Sequence, residues 1–160
     1  MLGTILGRFD FLHRFGTPIA IGFSLALLWV RFFLGMPYWN SGWTKWSEFP
    51  FSVNAGAKYL FSQEYKLNIL GTAYSMPFPD LMAYLAGLGE VILPVFLIAG
   101  LFSRFAALGL LGMTAVIQLV YPGAWLLHGS WALAALCIVI AGPGMISLDE
   151  LARRALKLNK

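Results

Sequence analysis

Apolar residues gather along this chain into four long runs, at 19–43, 79–101, 105–121 and 124–141, with few polar residues inside them. A helix needs roughly 20 apolar residues to cross the hydrocarbon core of a bilayer, so each run is long enough to be a membrane span. Turn and cap residues fall between them. Thr17-Pro18 reads as a helix start. Ser103-Arg104, Pro122-Gly123 and Gly142-Pro143-Gly144 punctuate the later runs. The pattern predicts an all-α integral membrane four-helix bundle forming one domain over 1–160.

The remaining segments have their own patterns. Residues 1–16 mix Phe9, Phe11, Leu12 and Phe15 with Arg8, Asp10, His13 and Arg14, which reads as an interfacial lead-in. The connection 44–78 is too long for an idle loop. Within it Val53, Ala57, Leu60 and Phe61 share a helical face, predicting an amphipathic helix on the outer surface or capping the bundle. Tyr38, Trp39, Trp43 and Trp46 mark the outer interface. The tail 142–160 is rich in Lys and Arg, and Ser147 followed by Glu150 has capping-box spacing.

Composition rules out an ordinary soluble domain. Hydrophobic residues make up 59% and charged residues 11%, against about 25% charged in globular proteins. So small a domain has too little interior to hide that much apolar surface from water. The net charge of +4 lies mostly beside the spans, where it orients the chain and forms no nucleic-acid face. Arg8, Arg14, Arg104, Arg153, Arg154, Lys157 and Lys160 fall on one side of a four-span topology, and Lys45, Lys58 and Lys66 on the other. The positive-inside rule therefore expects both termini to be cytoplasmic. The first run is about twice the length of a signal-peptide core and lacks a small-x-small cleavage site, so it is expected to stay as a span. The single cysteine, Cys137, permits no intrachain disulfide and reads as a small packing residue in a helix. Redox chemistry would need a borrowed cofactor. With His13 and His128 as the two histidines, no multi-histidine metal or haem site is expected.

The polar residues within the spans carry the chemistry. Arg31 lies near the middle of the first run and Glu90 near the middle of the second. A charge at the bilayer centre costs roughly 2.5–3.5 kcal/mol, so the two are expected to pair in the bundle interior. Ser24, Arg31, Gly35, Tyr38, Gly42 and Lys45 share one face of the first helix, and Ala83, Gly87, Glu90 and Pro94 one face of the second. Thr114, Gln118 and Tyr121 on the third helix, with His128 and Trp131 on the fourth, complete a candidate polar pocket. Its ligand-facing set is Arg31, Glu90, Tyr38, Lys45, Gln118 and His128, roofed by 44–78. An arginine, a histidine and aromatic rings suit a quinone carbonyl or a small anion. They suit a static packing network equally well: Lys45 can snorkel, Gln118 can tie helices together and His128 can anchor at the interface. No catalytic residue is assigned.

The chain resembles the DoxX family of DoxX- and DoxD-like four-helix bacterial membrane proteins. The resemblance rests on Arg31-Phe32-Phe33-Leu34-Gly35, Ser41-Gly42-Trp43-Thr44-Lys45, Ala83-Tyr84-Leu85-Ala86 with Gly89-Glu90, the stretch from Gly100 to Gly109, Gly112-Met113, and Gly142-Pro143-Gly144-Met145-Ile146-Ser147-Leu148-Asp149. It implies a multi-pass protein of the bacterial plasma (inner) membrane. It also implies a quinone, held non-covalently, a redox partner protein, and at most a non-autonomous oxidoreductase subunit. Arg31, Lys45, Glu90 and Arg104 fall on the family's charged positions. Two other classes stay open, a structural or assembly protein and a small-solute or metal-stress transporter acting as a homo-oligomer. Gly109, Gly112, Ala132 and Ala135 suit either self-association or internal packing.

Overall fold

The computed structural model describes residues 17–158. The lead-in expected at 1–16, with Arg8, His13 and Arg14, and the terminal Lys160 lie outside the described residues. In chain order the elements are α1 (Thr17–Trp43), β1 (Trp46–Glu48), β2 (Ser52–Val53), α2 (Ala55–Tyr59), a π-helical turn (Leu60–Glu64), β3 (Lys66–Ile69), β4 (Thr72–Ser75), α3 (Pro79–Ala99), α4 (Ser103–Val120), a 3₁₀ turn (Pro122–Ala124), α5 (Trp125–Ala141) and α6 (Leu148–Leu158). α1, α3 and α4, and α5 together with the 3₁₀ turn before it, are long and apolar enough to cross a membrane. The chain is a multi-pass, all-α membrane bundle with a small cap between α1 and α3.

The end of α3 and the start of α4 each sit two residues earlier than the apolar run suggests. Gly100 takes a φ of +74°, closing α3, and Phe102 follows with a φ of 48°. Asp149 then caps α4 from across the chain. Its carboxylate accepts from the Phe102 and Ser103 backbone N–H groups at 2.8 and 3.0 Å, and from the Ser103 hydroxyl at 2.9 Å. A negative charge there meets the unpaired amides at the positive end of the helix.

Lipid supplies no hydrophobic drive between helices, so close packing decides which ones touch. α1 and α3 meet through glycines. A Cβ at Gly42 would stand 2.9 Å from the Glu90 carbonyl carbon, and one at Gly35 would stand 3.0 Å from Ile98. Leu27, Leu34, Leu97, Leu110 and Ile138 fill the centre with Ala106, Ala107 and Ala135. Tyr38 ties α1 to α4 across the bundle. The Thr114 hydroxyl donates to the Leu110 carbonyl at 2.7 Å, which leaves its oxygen to accept from the Tyr38 hydroxyl, also at 2.7 Å. Cys137 departs from expectation: Ala134, Ala135 and Ile138 take the inner face of α5, and Cys137 is exposed on the lipid side.

The cap is built differently from the single amphipathic helix expected over 44–78. Two antiparallel hairpins, β1–β2 and β3–β4, flank the short helical stretch. Val53, Ala57 and Phe61 are buried against the bundle as their shared face implies, whereas Leu60 points outward. Asn54 starts α2, accepting from Ala57 N–H at 2.8 Å and donating to the Thr44 carbonyl at 2.7 Å. Leu70 and Gly71 both take positive φ, the twist that a two-residue hairpin turn requires. The Asn68 amide donates to the Leu119 carbonyl at 3.0 Å, pinning the second hairpin to the end of α4.

At the opposite, basic end, the segment after α5 folds back on the bundle. The expected Arg31–Glu90 pair is not formed. Arg31 is 1% exposed and donates through Nη1 to the Ile98 carbonyl at 3.2 Å and through Nη2 to the Ile146 carbonyl at 2.5 Å. It thus sits at the negative end of α3 and holds the returning chain against it. Gly100 has no room for a side chain, because Arg31 and Ser147 occupy the space. The Asp149 N–H donates to the Gly100 carbonyl at 2.8 Å, and the Met145 N–H to the Ser24 hydroxyl at 3.1 Å. Half of the expected capping box forms. Ser147 accepts from Glu150 N–H at 3.2 Å, while the Glu150 carboxylate turns to Arg153 and Arg154.

Candidate functional site

Below the cap the four spans enclose a cavity of about 580 Å³ whose lining is mostly apolar. That volume lies within the roughly 300–1,000 Å³ typical of small-molecule sites. Tyr38 and Lys45 reach it from α1 and the turn after it, Glu90 from α3, Met113 and Ile117 from α4, and His128 and Trp131 from α5. Phe61, Tyr65 and Met76 of the cap close it above.

The charged wall is a Lys45–Glu90 ion pair, with Nζ 2.5 Å from Glu90 Oε2. Both residues are over nine-tenths buried. Lys45 lies one turn beyond Ser41 and donates to its hydroxyl at 2.9 Å and its carbonyl at 3.3 Å. The ammonium therefore has three acceptors. Glu90 Oε1 has no hydrogen-bond partner among the described residues, while its residue lines the cavity. Glu90 thus presents one neutralised and one available oxygen.

The opposite wall carries His128, buried to 5% exposure, its ring 5.4 Å from that of Trp131 and tilted 44° to it. Gln118 settles its tautomer. The Gln118 side-chain N–H donates to the Pro122 carbonyl at 3.0 Å, which can only accept, so the amide oxygen faces His128 Nδ1 at 2.7 Å. An amide oxygen can only accept, so Nδ1 carries the proton and Nε2 keeps its lone pair. Nε2 has no partner among the described residues. With Nδ1 engaged by Gln118, Nε2 is the acceptor left over on a residue that lines the cavity.

Four of the six residues expected in the pocket therefore line one cavity: Tyr38, Lys45, Glu90 and His128. Gln118 stands behind His128 and sets its tautomer without lining the cavity. Arg31 belongs to the basic end and faces backbone carbonyls. The Tyr38 hydroxyl has its donor committed to Thr114, leaving only a lone pair to offer. The sequence reading missed Tyr65, Met76 and Met82, which the cap and the start of α3 bring to the lining. Burial, together with a hydrogen bond to the neighbouring Tyr121 hydroxyl, raises the Tyr65 phenol well above its ordinary range, so it remains neutral.

A family model described as DoxX matches residues 26–129, more than half of the chain. No curated protein and no solved structure matches.

Proposed function

Because the chain belongs to the DoxX family, we propose that the cavity is a quinone site, and that the protein serves as the quinone-interacting membrane subunit of an oxidoreductase. The observation that carries this reading is the pairing of His128 Nε2, an unpartnered acceptor, with an ion pair across a largely apolar chamber. Apolar walls with a few convergent polar groups are the usual make-up of a site for a hydrophobic ring with polar oxygens. The residues present fit such a ring: Trp131 offers a flat surface and His128 a hydrogen-bond acceptor.

A bound quinone would accept two electrons and two protons, the electrons coming from a partner protein. This chain's residues would handle the protons. His128 Nε2, once protonated from the aqueous side, would pass that proton to a quinone oxygen as the ring is reduced and, neutral again, would accept a hydrogen bond from the quinol hydroxyl so formed; its Nδ1–H to Gln118 steadies the ring and disperses the positive charge of the protonated state. Glu90 Oε1 is a second acceptor, and Lys45 offsets its charge within the membrane. Positively charged residues at the far end orient the cap away from the cytoplasm of a bacterial plasma membrane.

The test is mass spectrometry of organic extracts from gently purified protein, comparing wild type with His128→Phe and Arg31→Met. A quinone enriched in wild type and in Arg31→Met, and depleted in His128→Phe, supports the site. Depletion in Arg31→Met with full retention in His128→Phe would move the site to the basic end. No enrichment in wild type, beside a quinone protein that keeps its own, removes the quinone reading.

A further inference from the structure

On α3 and α4, Leu85, Gly112 and Val116 line the cavity and are also exposed on the outer surface of the bundle. These two helices are joined by a tight turn around Leu101, and they touch at two levels on the basic-end side of the cavity. A Cβ at Gly109 would meet Leu93 at 2.8 Å, and one at Gly89 would meet the Met113 sulfur at 3.0 Å. In each pair the partners are equidistant from Leu101, as an antiparallel hairpin requires. One turn further towards the cap the same register sets Ala86 opposite Val116. At that level both helices border the cavity, Ala86 from α3 and Val116 from α4. Leu85 and Val116 are 50% and 48% exposed. Gly112, on the lipid-facing edge of α4, also lines the cavity, and a Cβ there would meet no atom within 4 Å.

Resting on the quinone reading above, we infer that a lateral portal opens here between α3 and α4, through which a ligand dissolved in the bilayer enters head first while its hydrocarbon tail stays between the lips. The residues at the opening, Leu85, Ala86, Gly112 and Val116, carry no polar side-chain atom, so the opening suits a tail and repels a hydrated solute. The polar groups lie further in: His128 on α5, and Glu90 with its Lys45 partner one turn beyond Ala86 on α3. The cap closes the chamber from above with Phe61, Tyr65 and Met76. The substrate class is therefore a long-tailed, lipid-borne quinone, with the glycine at 112 keeping the doorway clear.

Equilibrium binding to the full-length protein in lipid nanodiscs tests this with two probes, a decyl-tailed quinone and the same ring without a tail. Gly112→Phe and Leu85→Trp place bulk on opposite lips, where neither touches the core, and Gly112→Ala serves as control. The expected result is a loss of about tenfold or more in affinity for the tailed quinone in both bulky variants. The tail-less ring should bind within about twofold of wild type, and Gly112→Ala should match wild type for both probes. Bulky variants that bind the tailed quinone normally overturn the portal while leaving the quinone site standing. Equal loss of both probes also overturns it, since the site itself would then be blocked. Wild-type protein that binds neither probe removes the quinone reading and the portal with it.

Discussion

Glu90 has one ionic partner among the described residues, Lys45, and replacing it should expose that dependence. Glu90→Gln keeps the size of the side chain and removes its charge. The Lys45 ammonium, in a residue 8% exposed, is then left with the Ser41 hydroxyl and carbonyl and the new amide oxygen. Breaking a buried pair by removing one partner costs about 3–5 kcal/mol, because the other charge stays uncompensated. The three neutral acceptors should hold the loss near the lower figure, about 3 kcal/mol. Lys45→Met in the Glu90→Gln background removes the stranded ammonium and should recover about 2 kcal/mol, against the 0–1 kcal/mol typical of an exposed pair. Arg31→Met in the same background should recover nothing and add its own full cost. Its partners are the Ile98 and Ile146 carbonyls, and changes at sites without shared partners add. Reversible unfolding of the single and double variants in mixed micelles gives these coupling energies. The reasoning is refuted if Arg31→Met rescues Glu90→Gln, or if Lys45 and Glu90 couple by less than about 0.5 kcal/mol.

Beyond the quinone extraction and the portal variants, two further outcomes are expected from the basic end. Arg31→Met strands two carbonyls, each in a charge-assisted bond worth about 1.5–3 kcal/mol, so protease cleavage between Gly142 and Ser147 should quicken severalfold. Arg31→Lys should restore little of this, since an ammonium cannot span two carbonyls as a guanidinium fork does; an unchanged cleavage rate in Arg31→Met counts against the latch. In α6, the hydrogen bond from Arg153, opposed by partial burial and aided by Arg154, holds the Glu150 carboxyl below its ordinary value. A depressed folded pKa gives stability that is full above the unfolded pKa and lost as pH falls through the folded one. Backbone amide shifts over 148–156 should therefore stay constant down to roughly pH 5 and fray below the ordinary carboxylate range. Arg153→Ala should move the fraying to higher pH, and identical titrations for the two proteins would show that the pair contributes nothing.

The four spans were legible because an apolar run records its own length, and the caps and glycines that end it are local signals. Which residues meet across the bundle was legible only where the connection is short. Gln118 and His128 lie equidistant from Gly123, so the tight Pro122-Gly123 turn brings them together. Gly89 with Met113 and Gly109 with Leu93 follow in the same way from the turn at Leu101. Between α1 and α3 stands the whole 44–78 cap, and a connection of that length fixes no register. Matching the centres of the two runs sets Arg31 beside Glu90. The structure instead slides α1 along α3 until Gly42 lies on Glu90, a displacement of eleven residues, or roughly 16 Å at 1.5 Å per residue. That slide carries Lys45, on the same face as Gly42, to the carboxylate and leaves Arg31 at the end of α3 among carbonyls. The signal was present in the spacing of Gly35 and Gly42, since backbones approach where a helix has no side chain to hold them apart. The hairpins of the cap were hidden for a related reason. Lys66 to Ile69 and Thr72 to Ser75 are short runs around a Leu70-Gly71 turn, and a leucine at positive φ is not a turn signal that sequence ordinarily offers. The long connection that made the register unreadable is also what covers the cavity. Because the cap is long enough to fold over the bundle, α1 is free to choose its register by glycine contact, and that choice sets a charge pair under the roof.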